Sequence, residues 1–250
     1  MSLTHNTDRI PELVATELDS PPQTPIAYCE VIAMLSRLEG VPLRRKDLLA
    51  AAIIGGVIRR VDDTFDRGPI DTAHQQGCAV TDAVLHPGEA TLQHVTDPRI
   101  TKAISMAHDT FTPEALDALK NLMRAQLDSV QQRLPATPSS VIEDITRRKA
   151  TFFLFAVQVN CSMGPERANC YRELAYLLQL IDDYADYDED RFAGIHTPVT
   201  RSASDTDAVR LILTQYRKVK NLFLKEYKPP QLIEPFSYID QLLKTVGIVF

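Results

Sequence analysis

Residues 174–190 read LAYLLQLIDDYADYDED, an apolar run closed by five Asp and one Glu within nine residues. Leu174, Leu177, Leu178, Leu180 and Ile181 give the run the spacing of a buried helix, and the acid marks the end of that helix. Far upstream, Asp62-Asp63-Thr64-Phe65-Asp66 closes another apolar run. Each knot is D-D-x-x-D. Residues i, i+3 and i+4 share a helix face, so Asp62 and Asp66 point the same way, as do Asp182 and Asp186, with Gln179 one turn below. Carboxylates crowded at a helix C-terminus repel one another and oppose the negative end of the macrodipole, each unfavourable contact costing about 0.3–1 kcal/mol. A solvated helix end tolerates this, and that is the plain explanation of any single knot. Beside an apolar wall it calls for a cation. Mg²⁺ suits the chemistry, because it takes oxygen ligands and uses a few carboxylates to hold substrate phosphates. The two knots are expected to face each other across one pocket. A calcium loop is excluded: Asp186, Asp188 and Asp190 alternate correctly, but such a loop needs Gly sixth and Glu twelfth, where Arg191 and Thr197 stand.

The totals bound the rest. A chain of 250 residues, 44% hydrophobic and 24% charged, can bury one core of ordinary size. A net charge of -6 offers nothing to nucleic acid. Cys29, Cys78, Cys161 and Cys170 lack metal-type spacing and fit a reducing cytoplasm. The first residues show no charged-then-apolar leader, and the longest apolar run, 48–58, is too short to span a bilayer. The expectation is a soluble cytoplasmic protein.

In order along the chain, residues 1–24 are polar and Pro-bearing, expected to be loosely held apart from a short helix near 10–18. Residues 25–250 form the expected single domain. Helices are predicted at about 25–38, 44–66, 71–85, 98–108 and 112–134, the last opened by Thr112-Pro113-Glu114. More are predicted from Ser139 or Ser140 through Cys161, after a Gly164-Pro165 turn, at about 207–227, and from Glu234. No strand is expected. The fold class is all-α, a bundle of eight to ten helices.

The helix between the knots supplies the complement. Arg147-Arg148-Lys149 lies near its start, and Phe152, Phe153 and Ala156 continue the Lys149 face. Its polar end is N-terminal where that of the acidic helices is C-terminal, so antiparallel packing would gather all three at one mouth. Gly55, Val57, Ile58, Phe152, Phe153, Tyr176 and Leu178 would line an apolar slot below. Acid with Mg²⁺, base beside it and a greasy slot describe a site for a diphosphate on a long hydrocarbon tail.

At this point the residues resemble a known superfamily. LAYLLQLIDDYAD is similar to the second aspartate-rich motif of trans-isoprenyl diphosphate synthases, L-G-x-x-F-Q-x-x-D-D-x-x-D. Asp62 to Asp66 resembles their first motif, and Lys149-Ala150-Thr151 is a loosened form of their Lys-Thr pair. The stretch DEDRFAG at 188–194 also looks like the tail of the motif in tetraprenyl-β-curcumene-type cyclases. The resemblance implies an isoprenoid-synthase-type helical bundle around a central pocket. The paired Arg that holds isopentenyl diphosphate after the first motif is missing, because Arg67-Gly68-Pro69 stands there, and the upstream 40–46 segment matches only in part. A weakened acceptor site favours a class I terpene cyclase, which needs one allylic diphosphate. The synthase-like DDxxD at Asp182 keeps the alternative, a chain-elongating trans-prenyltransferase using isopentenyl diphosphate.

The resemblance assigns roles residue by residue. Asp62, Asp66, Asp182 and Asp186 hold several Mg²⁺ ions against the substrate diphosphate, with Asp63 and Asp183 as further ligands. Arg148 and Lys149, with Arg191, neutralise the leaving group, and Gln179 lies on the same face. Phe65, Phe152, Phe153, Tyr176 and Tyr184 stabilise the allylic cation by cation–π contact, worth about 2 kcal/mol when desolvated. Ile58 and Val57 stand one turn below Asp62, over Gly55 and Gly56. The lack of bulky aromatics there suggests room for a C15–C20 tail, unless the two glycines serve close helix packing instead. Homodimerisation is common in that fold.

Overall fold

The computed structural model describes residues 9–19, 23–66, 69–160 and 167–249, without the side chains of Asp63, Asp66, Val157, Val159 and Asn160. The chain is all-α: the described residues form twelve α-helices and no strand. They divide into two compact units, Met1–Val130 with Phe155–Gly164, and Gln131–Leu154 with Pro165–Phe250.

The first unit is built around one helix. Helices α1 (Ile10–Glu17), α2 (Gln23–Glu39), α4 (Ile70–Leu85), α6 (Pro98–Thr110) and α7 (Pro113–Asp128) all pack on α3 (Arg45–Asp66). A helix apolar on every side belongs in the middle, and Ala50, Ala51, Ala52, Ile53 and Ile54 are fully buried there. Its start is fixed by Asp47, a buried carboxylate that accepts from the Arg44 backbone N–H and guanidinium, each at 2.9 Å. An acid in the first turn also suits the helix dipole. The predicted Thr112 cap is present: its hydroxyl accepts from the Ala115 N–H, with Pro113 in the first turn. Helix α7 stops at Asp128, and a 3-10 turn (Ser129–Arg133) replaces the expected continuation to 134.

The N-terminal helix is better held than its polar surroundings suggested. Ile10, Val14, Ala15 and Leu18 are buried, because α1 lays its apolar face on α2 and α3. Residues 1–8, the predicted stop at Gly68, and the Cys161 and Gly164-Pro165 positions lie outside the described residues.

In the second unit α9 (Ala168–Ala185) packs on α11 (Asp205–Glu226), which meets α12 (Pro229–Thr245). The core here is aromatic. Phe223 stacks on Tyr227 and meets Tyr171 and Phe236 edge-on, at centroid separations of 5.4–6.1 Å. Tyr171 and Tyr227 share a buried hydroxyl–hydroxyl bond of 2.8 Å. Helix α8 (Ser139–Asn160) contributes its first part, through Leu154, to this unit. Helix α12 begins at Pro229, earlier than Glu234, since two prolines in the first turn have no intrahelical N–H bond to lose. Short helices α5 (Glu89–Leu92) and α10 (Tyr187–Ala193) bring the number above the ten expected; neither carries a buried residue whose periodicity would announce it.

Candidate functional site

The acidic end of α9 does not present its three aspartates alike. Tyr176, Leu180 and Asp183 follow one another at i, i+4 and i+7 on the buried side of the helix, whereas Asp182 and Asp186 are exposed. Asp183 is only 7% exposed. Its Oδ1 accepts from Gln179 Nε2 at 2.9 Å, while its buried Oδ2 has no hydrogen-bond partner. Gln179 Nε2 also reaches Asp182 Oδ2 at 3.4 Å, so one amide spans both carboxylates.

The electrostatics of Asp183 follow from this placement. Burial pushes its carboxyl up to about 8; the Gln179 bond opposes that, Asp182 adds to it, Lys149 opposes it, and Asp190 adds to it. Lys149 of α8 lies near enough to act on the Asp183 carboxyl. Asp190 on α10 is drawn in as well, a residue that the sequence offers only in a calcium-loop pattern and within the DEDRFAG stretch.

The other basic residues turn elsewhere, because consecutive helical positions diverge by about 100°. Arg147 reaches Glu173 on α9, and its guanidinium lies 3.7 Å over the Tyr176 ring. Arg148 pairs with Asp144 at 2.8 Å on its own helix. Arg191 is exposed and rests on Tyr187, donating to its hydroxyl at 3.2 Å. Glu173 gathers Arg147, Lys218 and Gln215. Its carboxyl stays below the usual range: burial raises it, but the bonds from Lys218 and Gln215 outweigh burial.

The aromatic residues are also distributed differently from the expectation. Tyr176 is buried with one ring face covered by Arg147, and burial pushes its hydroxyl up. The Tyr184 hydroxyl donates to Asp205, at the start of α11, at 2.7 Å. Phe152 and Phe153 are half-buried on α8.

The first unit holds the other knot. Asp62 is half-buried on the last turns of α3, and Ile58 is buried one turn below. The side chains of Asp63 and Asp66 lie outside the described residues. Phe65 is 1% exposed and packs on α4, where a Cβ at Gly77 would lie 2.0 Å from its ring. Gly55 faces Tyr28 and Pro25 of α2, and Gly56 faces Leu18. These two glycines serve close packing of α1 and α2 on α3, so the inference of a C15–C20 slot loses its ground.

Among the described residues, no three His, Cys, Asp or Glu side chains are gathered closely enough to hold a metal ion between them. Nor is any described helix long and apolar enough to cross a membrane. Compared with known proteins, the chain matches no family model, no curated protein and no solved structure.

Proposed function

We propose that the chain is a Mg²⁺-dependent class I terpene cyclase, which ionises an allylic isoprenyl diphosphate and cyclises the cation. The observation that carries this reading is Asp183: a buried carboxylate, fixed by Gln179 through one oxygen and left with the other unpartnered, among Asp182, Asp190 and Lys149. A buried acid with an unused lone-pair face is poorly placed in a bland solvated helix end. It fits a hard cation that takes oxygen ligands.

On this reading Asp182, Asp183 and Asp186 would hold Mg²⁺ at the end of α9, and Asp62, Asp63 and Asp66 would hold it at the end of α3. When bound, the metal supplies Lewis-acid stabilisation of the charge that develops on the departing diphosphate. The chain's residues do the rest. Gln179 orients Asp183 and ties it to Asp182, and Lys149 places a positive charge beside the same carboxylates. Arg148 and Arg191 would exchange their present partners, Asp144 and Tyr187, for phosphoryl oxygens. Phe152 and Phe153 would offer apolar surface to the hydrocarbon.

The test is incubation of the full chain with Mg²⁺ and C10, C15, C20 and longer allylic diphosphates, each with and without isopentenyl diphosphate. The expected result is a cyclic hydrocarbon or alcohol from one allylic diphosphate alone, lost in Asp183→Asn. Elongated diphosphates formed only with isopentenyl diphosphate would establish the prenyltransferase instead. No product in any mixture, with no Mg²⁺-dependent binding of diphosphate, would overturn both readings.

A further inference from the structure

Away from the acidic knots, the first unit carries a second chemical feature. After α4 the chain turns through α5, and Thr96 Oγ1 donates to Gln76 Oε1 at 2.8 Å, pinning the return segment against α4. Between them lies a cleft of about 480 Å³. Gln75, Gln76, Cys78, Asp82, Thr91 and His94 line it. The cleft is open to solvent, with Gln75, Cys78, Asp82 and His94 all exposed.

The cysteine in this cleft differs from the other described ones. Cys29 is buried, its thiol donates to the Leu48 carbonyl at 3.4 Å, and burial pushes it up to about 12. Cys170 is buried too. Cys78 is exposed, and one helical turn away His74 presents Nδ1 3.9 Å from its sulfur. A thiol with solvent access and an imidazole in hydrogen-bonding reach has the two requirements for exchange, an open line of attack and a proton acceptor. The walls add a third property. Asp82 suits an ammonium group, His94 suits a carboxylate, and the Gln75 amide suits a peptide group.

We infer that Cys78 and this cleft form a thiol-exchange site that takes a small zwitterionic peptide disulfide and retains half of it as a mixed disulfide. The Cys78 thiol gives its proton to His74 Nδ1 while its sulfur attacks one sulfur of the incoming disulfide. The old S–S bond breaks as the new one forms, and the departing thiolate takes the proton back from His74. Cys78 is oxidised and half of the small disulfide is reduced, so no further reagent is needed. The site is independent of the diphosphate chemistry proposed above.

The experiment uses the full chain with oxidised glutathione as the zwitterionic probe and hydroxyethyl disulfide as the uncharged one. Adducts are timed by intact mass and located by peptide mapping, in buffer and in denaturing urea. The folded chain should form one fast glutathionyl adduct, at Cys78. Its preference for oxidised glutathione over hydroxyethyl disulfide should exceed that of the unfolded chain by about tenfold. His74→Gln should slow the reaction about tenfold near neutrality and change its pH profile, and Cys78→Ser should lose the fast adduct. Circular dichroism confirms that both variants fold; each replaces an exposed side chain. The same preference folded and unfolded, a fast adduct at another cysteine, or a rate and pH profile unchanged in His74→Gln would each overturn the inference.

Discussion

Asp183→Asn isolates the energetic consequence of burying an acid at the end of α9. In the folded chain the carboxyl is pushed up to about 8, chiefly by burial, against about 4 for an unfolded aspartate. Between those values the native state holds a proton that the unfolded state has released. Stability must then fall as pH rises, by about 1.4 kcal/mol per pH unit for this one group, levelling off above the folded value. Below about pH 4 both states are protonated and the contribution vanishes. Asparagine keeps the oxygen that accepts from Gln179 but never ionises. Its advantage over the parent should therefore grow with pH, to about 4 kcal/mol at pH 7 as an upper figure. Solvent entry around the ionised group would reduce that. Urea unfolding of both chains at pH 5, 6, 7 and 8, without divalent metal, measures the difference, and titrations common to both cancel. A difference that stays flat across this range, or that favours the parent increasingly at higher pH, would refute the burial argument.

Three other substitutions test the packing and the ion-pair network by the same unfolding assay. Gly77→Ala should destabilise by about 1–3 kcal/mol, because the new Cβ would meet the buried Phe65 ring and the helix-propensity gain is smaller than that strain. Equal or higher stability would show that the ring can yield. Tyr171→Phe should cost about 1–2 kcal/mol by removing the buried hydroxyl–hydroxyl bond of 2.8 Å to Tyr227. Glu173→Gln should destabilise near neutrality, since Arg147 and Lys218 lose their common carboxylate. Because the folded Glu173 carboxyl lies below its ordinary value, the loss should be full above about pH 4.5 and should fade as pH drops through the folded value. A loss that persists in strong acid would assign the effect to shape rather than charge.

The helices were legible wherever apolar periodicity met a cap or a proline. The Thr112-Pro113 start and the long apolar α3 and α9 are cases in which local chemistry and tertiary burial demand the same thing. The short helices α5 and α10 carry no buried side chain, so periodicity says nothing about them. The site was legible by residue type and less so by direction. Spacing alone marks Asp182 and Asp186 as a pair, but the buried stripe of α9 runs through Tyr176 and Leu180 to Asp183. The glycines below Asp62 were ambiguous for a related reason. Only the neighbours Tyr28 and Leu18, distant in sequence, show that the missing side chains admit other helices.

The arrangement at Asp183 also constrains the order in which ligands would bind. Of the basic run at 147–149, Arg147 is turned to Glu173 and Tyr176, and Arg148 to Asp144. Lys149 acts on Asp183, against the added negative charge of Asp182 and Asp190. An anion approaching this face meets an excess of carboxylate, and in a partly buried setting such repulsion is screened less than at the surface. A diphosphate therefore has no electrostatic reason to bind there first. A divalent cation does, because it can displace the proton that burial keeps on Asp183, take up the unpartnered Oδ2 beside Asp182 and Asp190, and turn the local charge toward phosphate. The cyclase reading thus requires that the metal precede or accompany the substrate. In calorimetry, inorganic diphosphate should bind the full chain only with Mg²⁺ present; equal binding in the presence of a chelator would place the anion site elsewhere on the chain.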